Sequence, residues 1–230
     1  MNFKIRKLLV CLAILSSFAL SAQQVGLSFS YFVPRNGYFS IPVSPFSIRG
    51  LGVDLNKYVA LETGASLYRM GGLNIIQVPF KSKKPMTGPS FTLFVPAELV
   101  LQFKGKHAEF DVKGGGFAFY SMWQKLNYGN IDRAIRETEN WILANSDLTF
   151  KNNLGYGYHA GVELSFDVTR QWGLSFEINY LMGSSKIPLQ GSVTGVDLNG
   201  QIITQDINEP KAKVDFTGLE FSIGINLSGR

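Results

Sequence analysis

Residues 154–168 read Leu-Gly-Tyr-Gly-Tyr-His-Ala-Gly-Val-Glu-Leu-Ser-Phe-Asp-Val. After a short Thr169-Arg170-Gln171 link, residues 172–183 read Trp-Gly-Leu-Ser-Phe-Glu-Ile-Asn-Tyr-Leu-Met-Gly. In the first arm every second residue is apolar, from Leu154 through Tyr156, Tyr158, Ala160, Val162, Leu164 and Phe166 to Val168. The second arm repeats this with Trp172, Leu174, Phe176, Ile178, Tyr180 and Met182 against Gly173, Ser175, Glu177 and Asn179. Side chains on a strand point to opposite faces in turn, so each arm has one apolar and one polar face. At 15 and 12 residues the arms exceed the roughly 5–6 usual for a globular strand. They reach the roughly 9–11 residues that a strand needs to cross a bilayer. The pair reads as a transmembrane hairpin of a β-barrel.

Six more strands of this kind are predicted around it. They cover 24–33, about 45–55, 58–69, 90–103, 107–120 and 214–227. The second has no constant apolar face: Phe46 and Ile48 oppose Arg49, yet Leu51, Val53 and Leu55 share its parity. A bulge that switches the faces accounts for this. Pro96 inside the strand 90–103 predicts a bulge or kink, because proline cannot donate to the ladder. Gly114-Gly115-Gly116 allows a sharp bend in the strand 107–120. Connections after the second, fourth and sixth strands are short, whereas those over 34–44, 70–89, 121–153 and 184–213 are long. An even strand count with short turns at one end and long loops at the other is the outer-membrane pattern, the long loops lying outside. Tyr31, Phe46, Tyr58, Tyr68, Phe91, Phe103, Tyr120, Trp123, Tyr156, Trp172 and Tyr180 fall near strand ends, where interface girdles use aromatic rings.

Two long loops carry structure of their own. Residues 130–145 read as a helix with Ile131, Ala134, Ile135 and Ile142 on one face, and with Asp132–Arg136 and Arg133–Glu137 spaced for ion pairs. Residues 192–207 read as a small hairpin around Asn199-Gly200, a type I′ turn signal, with arms too short to span a bilayer. A loop of this length with its own helix is usually a lid or binding element, with Trp141 and Ile142 as its candidate contact residues; the alternative is that Trp141 tucks the helix onto the barrel rim.

The 230 residues fit one all-β domain preceded by a leader. Lys4, Arg6 and Lys7, the mostly apolar run Leu8–Leu20 and the small residues before Gln23 form an expected signal peptide over 1–22, leaving 23–230 as the barrel. Losing those three bases takes the 22 Lys+Arg to 19 against 17 Asp+Glu. No basic stripe remains for nucleic acid. Cys11 goes with the leader, which excludes thiolate chemistry and cysteine-ligated metals from the rest.

The inward faces collect Glu62, Glu98, Glu109, Asp111, Glu163, Glu177 and Glu220 with Lys113, His159 and Arg49. An eight-stranded barrel is just wide enough for side chains to fill, so an ion-paired plug is expected. An acidic, cation-favouring passage is the sharper alternative. His159 is the one histidine placed for catalysis, with Ser121 or Ser146 as conceivable nucleophiles. It shares its face with Glu163, but about 13 Å away along the strand. That is too far for a base and its orienting group. The expected function is therefore non-enzymatic, with no metal and no cofactor. A lipid-modifying enzyme built on His159 and a soluble lipocalin-like barrel with its apolar faces turned inward are the alternatives.

The segment ending Ser-Ala-Gln-Gln, the eight amphipathic strands and the amphipathic final strand resemble the outer-membrane β-barrel family common in Bacteroidetes, the PorT-like group. In architecture the chain is also similar to the small OmpA/OmpX-like barrels. The resemblance covers nearly everything after residue 22 and rests on pattern. It implies an eight-stranded antiparallel up-and-down transmembrane β-barrel with a short helix in an extracellular loop, located in the cell outer membrane. The partners that go with it are outer-membrane lipids and lipopolysaccharide, the barrel assembly machinery and an extracellular partner at the loops, the protein itself being a monomer.

Overall fold

The computed structural model describes residues 24–169 and 171–228. The expected signal peptide over 1–22 and Arg170 lie outside them. In chain order the strands are β1 Gln24–Pro34, β2 Gly37–Asn56, β3 Val59–Leu73, β4 Ile75–Ile76, β5 Ser90–Lys104 and β6 Ala108–Met122. The helix α1, Tyr128–Glu139, follows. Then come β7 Leu143–Phe150, β8 Gly155–Asp167, β9 Trp172–Lys186, β10 Leu189–Val196, β11 Ile202–Glu209, β12 Lys213–Asp215 and β13 Gly218–Ser228.

Eight of these strands close a ring in the order β13, β1, β2, β3, β5, β6, β8, β9, and β9 pairs back onto β13. All neighbouring pairs are antiparallel. Closure joins the first strand of the ring to the last, which is the condition for strands to sit in lipid; the pairing is shortest between β1 and β2, over Gly26–Arg49 to Ser28–Ser47. The alternation seen in the sequence is carried by this ring. Leu61, Leu99, Leu101, Val112, Phe176, Ile178, Ile223 and Ile225 are exposed outward, and between them the polar residues turn in. A lipocalin-like barrel would reverse these faces. Among the described residues no helix is long and apolar enough to cross a membrane.

The irregular second strand does contain a bulge. Ile48 pairs with Ala65 and the next pair is Leu51 with Thr63, so Arg49 and Gly50 oppose Gly64 alone. Gly50 takes φ +70°, a left-handed backbone that glycine adopts without cost. Arg49 therefore points inward before the bulge, and Val53, opposite the exposed Leu61, points outward after it.

Three expectations need correction. No loop spans 34–44: β1 and β2 join across Arg35-Asn36, and β2 from Gly37 runs beside β3 up to the Gly37–Leu73 pair. Beyond the bilayer the backbone ladder alone sustains a strand, so apolar alternation no longer marks it. Pro96 produces no bulge, because the β5–β6 register runs unbroken from Phe91–Met122 to Lys104–Glu109, but on the β3 side the ladder is interrupted between Thr63–Ala97 and Ser66–Phe94. Pro96 turns its carbonyl to β3, where Thr63 Oγ1 donates to it at 2.6 Å. The same unbroken register passes through Gly114–Gly116. Finally, the helix stops at Glu139. Asn140 takes the left-handed conformation, φ 55°, and its N–H caps Arg136 O. Residues 143–145 of the expected helix belong instead to β7, Leu143–Phe150, and Ile142 leaves the helical face.

Candidate functional site

Two regions carry chemistry, the barrel interior and the loop assembly above it. The lower interior is ionic. Arg49 and Lys113 lie at its centre, 7 % and 4 % exposed. Arg49 reaches Glu220 at 2.6 Å and Glu98 at 4.0 Å. Glu220, wholly buried, also accepts from Tyr68 Oη and from Asn179 Nδ2. Lys113 contacts Glu163, and Glu62 and Glu177 at 3.5 and 3.9 Å. Glu109 is paired with Lys104 at 3.6 Å. Glu62 stands directly opposite Glu98, and Glu163 is flanked by Asp111 and Glu177. Like charges facing each other across strands repel. The two buried cations offset that repulsion. Between Arg49, Glu62, Asp111, Lys113, Glu163 and Asn226 a cavity of about 20 Å³ remains, room for about one water.

Above the ions the interior is aromatic. Phe216, entering from the link between β12 and β13, stacks on Phe32 at 4.4 Å and on Phe119 at 4.3 Å. Phe94 and Phe117 pack at 4.9 Å beside them. Arg49 Cζ lies 5.8 Å from the Phe94 ring and joins the two layers. Tyr68, expected in a girdle, is fully buried here. It shares strand parity with Glu62 and Ser66, so the signal that it points inward was in the sequence. The same parity places Phe94 with Glu98, and Phe117 and Phe119 with Lys113.

His159 is 4 % exposed, with its ring 6.2 Å from that of Phe117. Among the described residues neither ring nitrogen has a hydrogen-bond partner. Ser121 shares its hydroxyl hydrogen bond with Thr92, and Ser146 donates to Asp132. The structure thus does not bring His159 together with either serine, and it lies beneath the aromatic layer rather than at an outer rim. Among the described residues no cluster of acidic, histidine or cysteine side chains is arranged to hold a metal ion.

The long loops form a second body. β7, β10 and β11 make a three-stranded sheet in the order β11, β10, β7. The expected hairpin is β10 and β11, but its turn is not type I′. Asp197 accepts from Asn199 N and Gln201 N, and of the turn residues only Gly200 has positive φ. β7 comes from the preceding loop, so two loops separated by a whole transmembrane hairpin share one sheet. The helix α1 packs on the inner side with Ile131, Ala134 and Ile135 buried. Asp132 accepts from Ser146 N at 2.9 Å instead of pairing with Arg136. Trp141 is 9 % exposed and its ring lies where a Cβ on Gly195 would stand, 2.0 Å away. This buried ring is packing, not a contact surface. Ile142 beside it is exposed, as are Leu143, Leu198 and Ile202, which line the distal rim of the sheet. The apolar core runs without a break from Phe32 and Phe216 in the barrel to Leu148, Leu189 and Val193 in this platform.

Ring closure, the outward apolar belt and the ion-paired interior define an integral outer-membrane β-barrel protein. No family model matches the chain, and no curated protein matches it. Solved structures similar to it include outer membrane protein OprG from Pseudomonas aeruginosa, at 10% identity and TM-score 0.46 over 89% of this chain and 94% of that one. A major outer membrane protein from Thermus thermophilus is similar at 7% identity and TM-score 0.42, over 89% and 98% of the two chains. Escherichia coli outer membrane protein W is similar at 10% identity and TM-score 0.35, over 90% and 98%. The class rests on the barrel's own geometry; function has to come from its loops and lumen.

Proposed function

We propose that the protein is a non-enzymatic surface barrel whose outer loops form a preorganised binding platform. The observation that carries this is the platform itself: two loops folded into one sheet, backed by a helix and sharing a core with the barrel. Preorganisation lowers the ordering cost of binding. The exposed apolar rim of Ile142, Leu143, Leu198 and Ile202 supplies contact area outside the membrane. Trp141, buried behind it, fixes the rim in place. Replacing the four rim residues together by serine tests this in cells that display the protein. Attachment to other cells or to matrix protein should fall at least tenfold, with heat-modifiable gel migration unchanged. Unchanged attachment contradicts the proposal.

Membership of the PorT-like group and a mature chain starting at Gln23 belong to the same proposal, as do contacts with lipopolysaccharide and the assembly machinery. Mass spectrometry of the membrane-extracted protein reads the N-terminus directly. A narrow cation-favouring passage held shut by the aromatic layer is the second reading, supported by seven inward carboxylates around Arg49 and Lys113. The aromatic layer lies across its path. Planar-bilayer recording should therefore find the wild type closed, and the double variant Phe94→Ala, Phe216→Ala open and cation-selective. Anion preference in the open variant contradicts an acidic passage.

A further inference from the structure

The two edges of the loop sheet are treated differently. On β7 the outward-facing backbone is covered from α1: Ser146 N donates to Asp132, and Leu148 O accepts from Tyr128 Oη at 2.8 Å. On β11 no such cover exists among the described residues. β11 pairs with β10 in unbroken register over eight residues, Val196–Ile202 to Leu189–Glu209. Val196 turns its carbonyl to β7, where Ile142 N donates to it. Backbone groups alternate sides along an antiparallel ladder. Ile202, Thr204, Asp206 and Asn208 therefore direct their N–H and C=O groups away from β10, to the open side. Proteins blunt open edges with lysine, proline or bulges. The β11 sequence, Ile-Ile-Thr-Gln-Asp-Ile-Asn-Glu, has none of the three.

The charge of the sheet is one-sided. Its strands and hairpin turn carry Asp147, Asp197, Asp206 and Glu209 and not one Lys, Arg or His. On the outer face Asp147 and Asp206 stand in one cross-strand row on either side of Ser192. On the inner face Ile203 and Ile207 are only partly buried at the edge. An added strand would cover them with its own apolar side chains and present its other face to the acids.

We propose that β11 is a docking edge at which an extended, basic segment of another protein adds a fourth strand. The proposal rests on the platform reading and names the kind of partner it takes. Strand addition draws affinity from main-chain hydrogen bonds and specificity from alternate side chains. A second copy of this chain is a poor occupant, because edge-to-edge pairing would bring acids against acids. Anionic lipid is repelled for the same reason.

The test uses the full chain in lipid nanodiscs and a synthetic ten-residue peptide alternating lysine and valine, followed by fluorescence anisotropy and amide hydrogen exchange. Saturable binding is expected, with slowed exchange at Ile202, Thr204, Asp206 and Asn208. A glutamate–valine peptide should bind at least tenfold more weakly. Thr204→Pro removes one outward N–H while leaving the β10 ladder intact, and should weaken binding at least tenfold. Asp206→Lys, which keeps the backbone donor, should weaken it through charge alone. Heat-modifiable migration checks that both variants remain folded. Unchanged affinity in Thr204→Pro, absence of exchange protection in β11, or capture of lipid A vesicles in place of the peptide overturns the docking edge. If the peptide fails while the serine rim variant still loses attachment, the docking edge alone falls. If attachment is also indifferent to the rim, the platform function falls with it.

Discussion

Arg49 is the residue on which most of the interior depends. It is nearly enclosed, lies 2.6 Å from the fully buried Glu220, and faces the Phe94 ring on its other side. Removing one partner of a buried pair leaves the other charge unsatisfied, at a cost of about 3–5 kcal/mol. Arg49→Met keeps much of the volume but not the charge. It should lower the stability of the detergent-solubilised barrel by that amount in urea titration, whereas Arg49→Met combined with Glu220→Gln should recover a good part of it. A single variant as stable as the wild type would mean that Glu220 is held by Tyr68 and Asn179 without help. Arg49 also shows the limit of strand parity as a guide. Its face cannot be assigned from Phe46–Leu55 alone, because Gly50 shifts the alternation by one residue in the middle of the stretch. Tyr68 is the opposite case: its parity with Glu62 points inward, and only its position near a strand end suggests a girdle.

At the scale of elements, the transmembrane strands were legible because lipid outside and packed side chains inside force a period of two. Beyond the bilayer that pressure disappears, and the sequence becomes harder to read. Gly37–Ser40 of β2 and the short β12 pair through the backbone, and neither shows a period of two in its side chains. The join of β7 to β10 is a contact between loops 39 residues apart in the register Phe150–Leu189, and local periodicity carries no information about it. The helix was readable through Ile131, Ala134 and Ile135, but its end was set by Asn140 and by that same pairing. Trp141 against Gly195 is the joint between helix and sheet. Gly195→Val puts side-chain atoms where the indole lies and should free the platform while leaving the ring closed. Limited proteolysis should then cut within 123–154 at least tenfold faster, with heat-modifiable migration of the trypsin-resistant core preserved. Equal protease resistance would show that Trp141 is not the joint.

The whole molecule combines an interior filled by ions below and rings above with a rigid platform on one end and short turns on the other. That polarity is the central claim, and site-directed cysteine labelling tests it directly. The only natural cysteine is Cys11, inside the expected leader, so introduced cysteines give an unobscured signal. Asn199→Cys lies in the exposed turn between β10 and β11, and Lys57→Cys in the exposed turn between β2 and β3 at the opposite end. Each reacts with a maleimide coupled to a polymer too large to cross the outer membrane only if its side faces the medium. In intact cells Asn199→Cys should react fully and Lys57→Cys only after the membrane is opened. Labelling of Lys57→Cys in intact cells, or equal protection of both positions, would contradict a barrel that crosses the outer membrane with its platform outside.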